Sequence, residues 1–320
     1  MSYYEDDMVT LHHGDAFTVA RTFDAGSVQT IVTSPPYFGL RDYGDEGQIG
    51  AEPSVQEYVD NLVALFRELR RVLANDGTLW LNLGDSYAGN TGGPQGATGQ
   101  FADRSVSGAR SARSSRGGDL SPKNLIGIPW RVALALQADG WILRSDIIWS
   151  KPNSMPESVT DRPTKAHEYV FLLAKSPRYY YDSDAIREPD SGQDHSRTIL
   201  TGQASLEPSG GVSGSHGGLR TVGGRNGTGR NKRTVWDIAT TPFPGAHFAV
   251  YPPELIRPCI LAGSRPGDTV LDPFSGSGTT GMVATYEGRK YVGIELNKEY
   301  IDLSLRTRFA EPTLGIEVAS

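Results

Sequence analysis

The chain has 320 residues, a formal net charge of -6 at pH 7 and one cysteine, Cys259. This length accommodates one large α/β domain with a small appendage, or two modest domains. A single cysteine excludes a disulfide framework and a thiolate-rich zinc site, and the scattered histidines lack a paired-ligand spacing, so we expect no metal. No apolar run approaches the roughly 20 residues that cross a bilayer. The N-terminus MSYYEDDM is acidic, unlike a secretory leader, so we expect a cytoplasmic protein without a membrane partner.

Outside two stretches rich in Gly and Ser, the sequence alternates strands with helices, which predicts a parallel sheet with crossover helices. The helix after residue 54 is the best defined, because Ser54 and Glu57 form a capping box before apolar residues at helical spacing. In chain order we predict strands at 9–12 and 28–33, that helix, a turn at 75–77, a strand at 78–83, a helix at 128–138, strands near 147–149 and at 169–174, a helix at 253–262, a strand at 269–271, a helix from 279, a strand at 291–294 and a helix from 298.

The two Gly- and Ser-rich stretches carry clusters of basic residues. The first, at about 89–123, includes Arg110, Arg113 and Arg116, and the second includes Arg225 and Arg230. Affinity for nucleic acid comes from Lys and Arg that neutralise phosphates, so these clusters are candidate DNA-binding loops in a mildly acidic chain. Solvated linkers with incidental charge are the alternative interpretation.

A Gly-rich motif, LDPFSGSGTTG at 271–281, follows a predicted strand and opens a helix. Its glycines match a dinucleotide fingerprint, with Glu295 where a ribose-binding carboxylate belongs. The carboxylate of Asp272 would repel a pyrophosphate, but it suits a ligand with a sulfonium and an ammonium group, such as S-adenosylmethionine. The candidate cofactor-binding residues in this part of the chain are Asp272, Pro273, Phe274, Gly276, Ser277, Gly278, Thr279, Thr280 and Glu295.

A second motif, TSPPY at 33–37, follows the strand predicted at 28–33, at the edge where open α/β sheets bind ligands. Pro35 and Pro36 stiffen the segment and lack backbone donors, which leaves the Ser34 hydroxyl and the Pro35 carbonyl to accept hydrogen bonds. These acceptors would hold the N–H groups of an exocyclic amine and aim its lone pair at a methyl group. Tyr37 offers an aromatic face to an extruded base. A strand-ending turn with a packing tyrosine is the alternative interpretation.

With both motifs present, the chain resembles the amino-group DNA methyltransferases of bacteria and their phages, in the circularly permuted order. TSPPY is similar to the catalytic motif, LDPFSGSGTTG to the cofactor loop and YVGIEL at 291–296 to the ribose-binding strand. HHGDA at 12–16 resembles the segment beside the adenine, which implies a cofactor contact at Asp15. FPGAHFAVYPPELI at 243–256 resembles the segment that closes over the methionine part, which implies contacts at Phe248 and Ala249. IWSKPN at 148–153, together with DRPTKAHEYVFLLAK at 161–175, resembles a later catalytic block, in which Lys151 is a candidate DNA contact.

The resemblance implies an α/β, Rossmann-like S-adenosylmethionine-dependent methyltransferase fold with a seven-stranded, mostly parallel sheet and one antiparallel strand. Residues 1–182 and 236–320 would form the catalytic and cofactor-binding halves of one domain, and 183–235 would be the target-recognition region. The implied partners are double-stranded DNA and, in a restriction–modification pair, a cognate restriction endonuclease.

The activity implied is methyl transfer to the exocyclic amine of a flipped base. Cytosine N4 is favoured because Ser before Pro-Pro-Tyr goes mostly with cytosine in the family. Adenine N6, glutamine in a protein, and a DNA-binding module that has lost catalysis remain alternatives. Cys259 invites comparison with the nucleophile of cytosine-C5 enzymes, but its predicted apolar helix makes it a core residue.

Overall fold

The structure is a computed structural model that describes residues 2–39, 48–89, 120–189, 198–199, 220–221, 229–240 and 250–309. The chain divides into two compact units, Met1–Asp182 with Arg233–Ser320, and Ser183–Lys232. Six residues predicted to bind cofactor or DNA lie outside the described residues: Arg110, Arg113, Arg116, Arg225, Phe248 and Ala249.

The helices and strands follow one another largely as the sequence pattern predicts. In chain order they are β1 (Tyr4–Glu5), β2 (Val9–His13), α1 (Ala16–Ala20), β3 (Val28–Thr33), α2 (Val55–Val72), β4 (Leu73–Leu83), α3 (Ile128–Ala138), β5 (Ile142–Ser150), β6 (His167–Ala174), β7 (Thr198–Ile199), β8 (Arg220–Thr221), β9 (Val235–Asp237), α4 (Pro253–Gly263), β10 (Thr269–Asp272), α5 (Thr279–Tyr286), β11 (Lys290–Glu295) and α6 (Lys298–Ser304). A π-helical turn, Leu305–Phe309, continues α6.

The first unit is built on a nine-stranded sheet in the order β1-β2-β11-β10-β3-β4-β6-β5-β9. Strands β2, β11, β10, β3 and β4 are mutually parallel, whereas β6 is antiparallel to both β4 and β5. Seven neighbouring strands of this sheet, in the order β2-β11-β10-β3-β4-β6-β5, reproduce the expected methyltransferase sheet with its single antiparallel strand. The total is nine rather than seven because two short strands, β1 and β9, pair with the outer edges.

Strands β4 and β5 begin well before their predicted limits, whereas the other predicted strands differ by at most two residues at either end. The turn predicted at 75–77 is a bulge inside β4, whose pairing with β3 jumps from Val28↔Leu73 to Thr30↔Thr78. The additional residues of β4 between these two pairs form the bulge, and the segments on both sides of it still pair with β3. Strand β5 begins at Ile142, earlier than predicted, and its first half alternates exposed and half-buried residues. That half lacks the continuous apolar run by which a buried strand is recognised in a sequence.

Helices cover both faces of the sheet. Helix α2 begins at the predicted cap, where Ser54 Oγ accepts a 3.2 Å hydrogen bond from the Glu57 backbone N–H. Its apolar side chains pack with those of α1 and α3 into the main core, together with alternate residues of β4 such as Leu79 and Leu81. On the opposite face, α4 packs closely against the sheet, since a Cβ at Gly263 would lie 2.9 Å from the Trp80 side chain. Within the described residues, no helix is long and apolar enough to cross a membrane.

Candidate functional site

The carboxyl ends of the parallel strands bring the two sequence motifs to one edge of the sheet. TSPPY follows β3, and the Gly-rich turn follows the neighbouring strand β10, to which β3 is hydrogen-bonded. Because β6 runs in the opposite direction, its first residues, His167 and Glu168, reach this same edge. Residues distant in sequence therefore share the edge at which open α/β sheets bind ligands.

Asp272, at the end of β10, is buried and accepts four hydrogen bonds from the protein. Its Oδ1 accepts from Thr33 Oγ1 at 2.6 Å and from the Phe274 backbone N–H at 3.0 Å. Its Oδ2 accepts from Thr280 Oγ1 at 2.7 Å and from the Tyr251 hydroxyl at 3.0 Å. Burial raises the pKa of Asp272, and the hydrogen bonds oppose that shift. A carboxylate has about four lone-pair sites, so Asp272 can influence a ligand mainly through its charge.

Glycine is required for different reasons at different positions of the Gly-rich motif. A Cβ at Gly281 would lie 2.5 Å from the Tyr291 ring, and one at Gly278 would lie 2.9 Å from the Ser304 Cβ, so both are needed for packing of α5. Gly276 has φ +51°, and its nearest neighbour to an added Cβ is the Phe274 carbonyl oxygen at 3.9 Å. In the described part of the chain, no protein atom fills the space where a Cβ of residue 276 would lie, so a ligand can approach the backbone there.

Several predicted cofactor contacts in this motif are held within the protein. Pro273, Ser277, Thr279 and Thr280 are buried, and the Thr280 hydroxyl is committed to Asp272. The side chains of these four residues lie inside the protein, whereas Phe274 and Gly276 are partly exposed.

Glu295, at the end of β11, is the second carboxylate beside the turn. Its Oε2 accepts from the Gly276 N–H at 2.7 Å and its Oε1 from the Asn297 N–H at 2.9 Å. Burial raises the pKa of Glu295 to about 7, despite those two backbone hydrogen bonds. Two bonds leave acceptor capacity on the carboxylate for the hydroxyls of a ligand.

Asp15 follows β2, the strand that pairs with β11 on the side away from β10. The Gly14 N–H donates to the Glu295 carbonyl oxygen at 2.9 Å, which joins the ends of β2 and β11. Asp15 Oδ1 accepts from the Thr18 backbone N–H and hydroxyl, both at 2.8 Å, and caps α1. With Asp272 and Glu295, it gives this part of the edge three carboxyl groups, which suit a cationic ligand with ribose hydroxyls and disfavour a pyrophosphate.

In the TSPPY segment, Tyr37 is held at its hydroxyl and along one edge of its ring. The hydroxyl donates to Glu168 Oε2 at 2.7 Å and lies 3.2 Å from Asn82 Oδ1, while Ser34 Oγ donates to it over 3.4 Å. A Cβ at Gly84 would lie 2.5 Å from the Tyr37 ring, so only glycine leaves room for that ring. Burial and the nearby Glu168 charge raise the pKa of Tyr37 well above its usual range. Tyr37 is therefore a neutral hydroxyl at physiological pH.

Two polar residues that contact the Tyr37 hydroxyl, Asn82 and Glu168, were not selected as site residues from the sequence, although Glu168 lies in the 161–175 segment. Asn82 Nδ2 donates to Glu168 Oε2 at 3.3 Å and to the Tyr169 carbonyl at 3.1 Å. Lys151, a candidate DNA contact, pairs with Glu168 Oε1, and its ammonium lies 4.1 Å from the centroid of the Trp149 ring. One feature of the sequence could have indicated this polar cluster. Asn82 is a polar residue inside the apolar strand segment LWLNL, and a buried polar group requires hydrogen-bond partners.

Arg230, Asp85 and Cys259 are each engaged or buried within their own compact unit. Arg230, in the second unit, pairs with Glu188 at 3.0 Å. Asp85 accepts from the Gly127 and Ile128 N–H groups, each at 3.0 Å, and so caps α3. Cys259 is buried inside α4, as expected of a core residue.

Comparisons with known proteins agree with this geometry. The N6_N4_Mtase family model, described as DNA methylase, matches residues 28–306. The chain is 49% identical over 311 residues to the Type II methyltransferase M.Cfr9I of Citrobacter freundii, covering 97% of this chain and 91% of that protein. Its fold is similar to that of PvuII DNA methyltransferase, described as cytosine-N4-specific, with TM-score 0.64, 20% identity and coverage of 98% and 90%. It is also similar to TTHA0409 of Thermus thermophilus, solved with S-adenosyl-L-methionine, with TM-score 0.55, 23% identity and 94% of each chain covered. The chain therefore belongs to the N6/N4 amino-group family of DNA methyltransferases, whose methyl donor is S-adenosyl-L-methionine.

Proposed function

We propose that the chain methylates the exocyclic N4 amine of a cytosine flipped out of double-stranded DNA. The observation that carries this proposal is Ser34, a neutral hydroxyl, in the position before Pro-Pro-Tyr. Both cytosine and adenine amines offer two N–H donors. A hydroxyl can accept an N–H from either amine. Cytosine is favoured because, in the family, Ser before Pro-Pro-Tyr goes mostly with cytosine.

Ser34 and Pro35 would orient the amine. The Ser34 proton is directed towards Tyr37, which leaves lone pairs on Oγ to accept an N–H from the base. The Pro36 carbonyl already accepts from the Tyr58 hydroxyl at 2.9 Å, so the Pro35 carbonyl is our choice as the second acceptor. Holding both N–H groups draws the nitrogen towards tetrahedral geometry, and Tyr37 provides the ring on which the base stacks.

S-Adenosylmethionine supplies an electrophilic methyl group on a sulfonium. We propose that Glu295 accepts its ribose hydroxyls, that Gly276 and Phe274 line it, and that Asp15 lies beside its adenine. Asp272 would stabilise the cationic methionine part through its charge, and Phe248 and Ala249 would complete the site. The remaining residues of the turn, Pro273, Ser277, Gly278, Thr279 and Thr280, would hold the loop in shape.

Residues 183–235 are our candidate for target recognition, and this range coincides closely with the separate unit Ser183–Lys232. The proposed DNA contacts are Arg110, Arg113, Arg116, Lys151, Arg225 and Arg230. The Type II name of the M.Cfr9I relative supports a role in restriction–modification, with a cognate endonuclease as partner. We propose that the chain acts in the cytoplasm.

The test is to methylate unmodified duplex DNA in vitro with purified protein and S-adenosylmethionine, digest the DNA to nucleosides and identify the product by mass spectrometry. We expect N4-methyldeoxycytidine. Finding only N6-methyldeoxyadenosine would overturn the base assignment. The absence of any methylated nucleoside would favour a DNA-binding protein without catalysis. Long-read modification mapping of DNA from expressing cells would then give the sequence context.

A further inference from the structure

We infer that Glu168 is a positioning residue for base methylation, which acts by fixing the hydroxyl of Tyr37. The inference rests on the proposed function, because it assumes that Tyr37 carries the target base. It assigns a role to a carboxylate on β6, well separated in sequence from both motifs.

The first observation is the bond between the two side chains. Tyr37 donates to Glu168 Oε2 at 2.7 Å, the shortest of the three hydrogen bonds of its hydroxyl within the described residues. A hydrogen bond to a charged acceptor is about twice as strong as one between neutral groups. Glu168 is therefore the principal anchor at this end of the tyrosine ring.

The second observation is that Glu168 is itself held from two sides. Lys151 pairs with Oε1, and Asn82 Nδ2 donates to Oε2 at 3.3 Å. The Glu168 and Lys151 side chains are only 16% and 18% exposed, so water does not compete freely for the pair. Lys151 is in turn placed over the Trp149 ring. A carboxylate with both oxygens engaged has little freedom to rotate, which makes it a rigid reference point.

The third observation concerns the ring of Tyr37. One edge passes over Gly84, where even a Cβ would lie 2.5 Å away. With the edge against the residue that follows β4 and the hydroxyl tied to β6, the ring orientation is set before any base arrives. Holding a reacting group close to its productive geometry raises the rate of reaction, and a misplacement of about 1 Å can cost 100-fold.

A double-mutant cycle tests this inference, with a synthetic duplex that carries the mapped target site. We expect Glu168→Ala and Tyr37→Phe each to lower kcat by about 10-fold or more, while KM for S-adenosylmethionine stays within about 2-fold. The double variant should be no slower than the slower single variant, because both changes remove one interaction. Glu168→Gln keeps an acceptor for the tyrosine hydroxyl and should recover most of the lost kcat.

The matched control is Glu287→Ala. Glu287 is similarly covered, with 12% of its side chain exposed, and is paired with Arg257, but it follows α5 at the opposite edge of the sheet. Its kcat should equal that of the wild type. If circular dichroism shows Glu168→Ala to be unfolded, Glu168→Leu combined with Lys151→Met takes its place in the cycle, since this pair of changes leaves no unpaired buried charge.

The outcomes separate the inference from the proposed function. An active wild type whose Glu168→Ala variant keeps its kcat overturns the inference alone. So does an equal loss from Glu168→Ala in the wild type and in the Tyr37→Phe background, which would mean that the residues act independently. A wild type that methylates no cytosine overturns the proposed function, and the inference as stated falls with it.

Discussion

The Thr33 hydroxyl donates a 2.6 Å hydrogen bond to Oδ1 of Asp272, across 239 positions of sequence. Thr33 is the residue before Ser34, and Asp272 opens the Gly-rich turn. Both side chains are about 1% exposed. The bond therefore ties the segment proposed to hold the base directly to the loop proposed to hold the cofactor.

Thr33→Val keeps the shape of the side chain but leaves Asp272 with one donor fewer. We expect the free energy of unfolding to fall by about 1–3 kcal/mol, because a buried acceptor loses its partner. Denaturant unfolding monitored by circular dichroism measures the change. Thr285→Val is the control, since the Thr285 hydroxyl bonds only to carbonyl oxygens of its own helix among the contacts described. Equal stability of the Thr33 variant and the wild type would contradict the prediction.

Ser34→Ala and Tyr37→Ala should reduce methyl transfer by at least about 100-fold. Their affinity for S-adenosylmethionine should stay within a few-fold, because both side chains face the proposed base site rather than the Gly-rich turn. Transfer of labelled methyl groups to DNA and calorimetric titration with S-adenosylmethionine measure the two effects. Turnover at the wild-type rate in both variants would refute their catalytic assignment.

Asp272→Asn separates the charge of this residue from its hydrogen bonds. The amide can still accept from Thr33 and Phe274, and it can donate to the hydroxyl oxygens of Tyr251 and Thr280. We expect the variant to fold and to bind S-adenosylmethionine about 10-fold more weakly, a loss of about 1.4 kcal/mol. Asp272→Ala should also lose stability. Unchanged affinity in a folded Asn variant would make Asp272 a purely structural residue.

Glu295 should make cofactor binding depend on pH. Its pKa is raised to about 7 in the folded protein, so the carboxyl is largely protonated below that pH. Ribose hydroxyls donate best to the ionised form, and we expect the affinity for S-adenosylmethionine to rise as pH increases from 6 to 8. Calorimetry across this range measures the trend, and Glu295→Gln should flatten it. A pH-independent affinity in the wild type would contradict the role proposed for Glu295.

The same shift has the opposite sign for folding without cofactor. The folded state binds this proton more tightly than the unfolded chain, whose glutamate has its ordinary pKa of 4.5. The stability that Glu295 contributes is therefore fully present below pH 4.5 and is lost as the pH rises through about 7. Thermal unfolding of Glu295→Gln should show less of this decline than the wild type.

The arginines of the first basic stretch should contribute to the salt dependence of DNA binding. Replacing Arg110, Arg113 and Arg116 with Ala should reduce the slope of log affinity against log salt by about 0.9 for each phosphate that these arginines neutralise in the wild type. Filter binding or fluorescence anisotropy at several salt concentrations measures the slope. A slope equal to that of the wild type would make this stretch a linker that does not touch DNA.

The sequence alone was sufficient to predict the fold class, the permuted order and most helix and strand positions. Local rules predicted the helices and strands: apolar periodicity marked α2, and a Ser-x-x-Glu cap marked its start. The fold class and the permuted order were implied by the family that the two short motifs resemble. The two added edge strands were not predicted, since two or three residues carry too little pattern to be recognised.

The tertiary structure decided which side chains of each motif face the open edge and which serve the protein itself. Thr280, predicted from its motif to contact the cofactor, donates to Asp272 from a buried position. Lys151, predicted to contact DNA, pairs with Glu168. Glu168 reaches Tyr37 only because β6 runs antiparallel to its neighbours and starts at the edge where they end. Spacing along the chain reports which strand a residue follows. The order and direction of the strands, set by packing of the whole sheet, determine its neighbours.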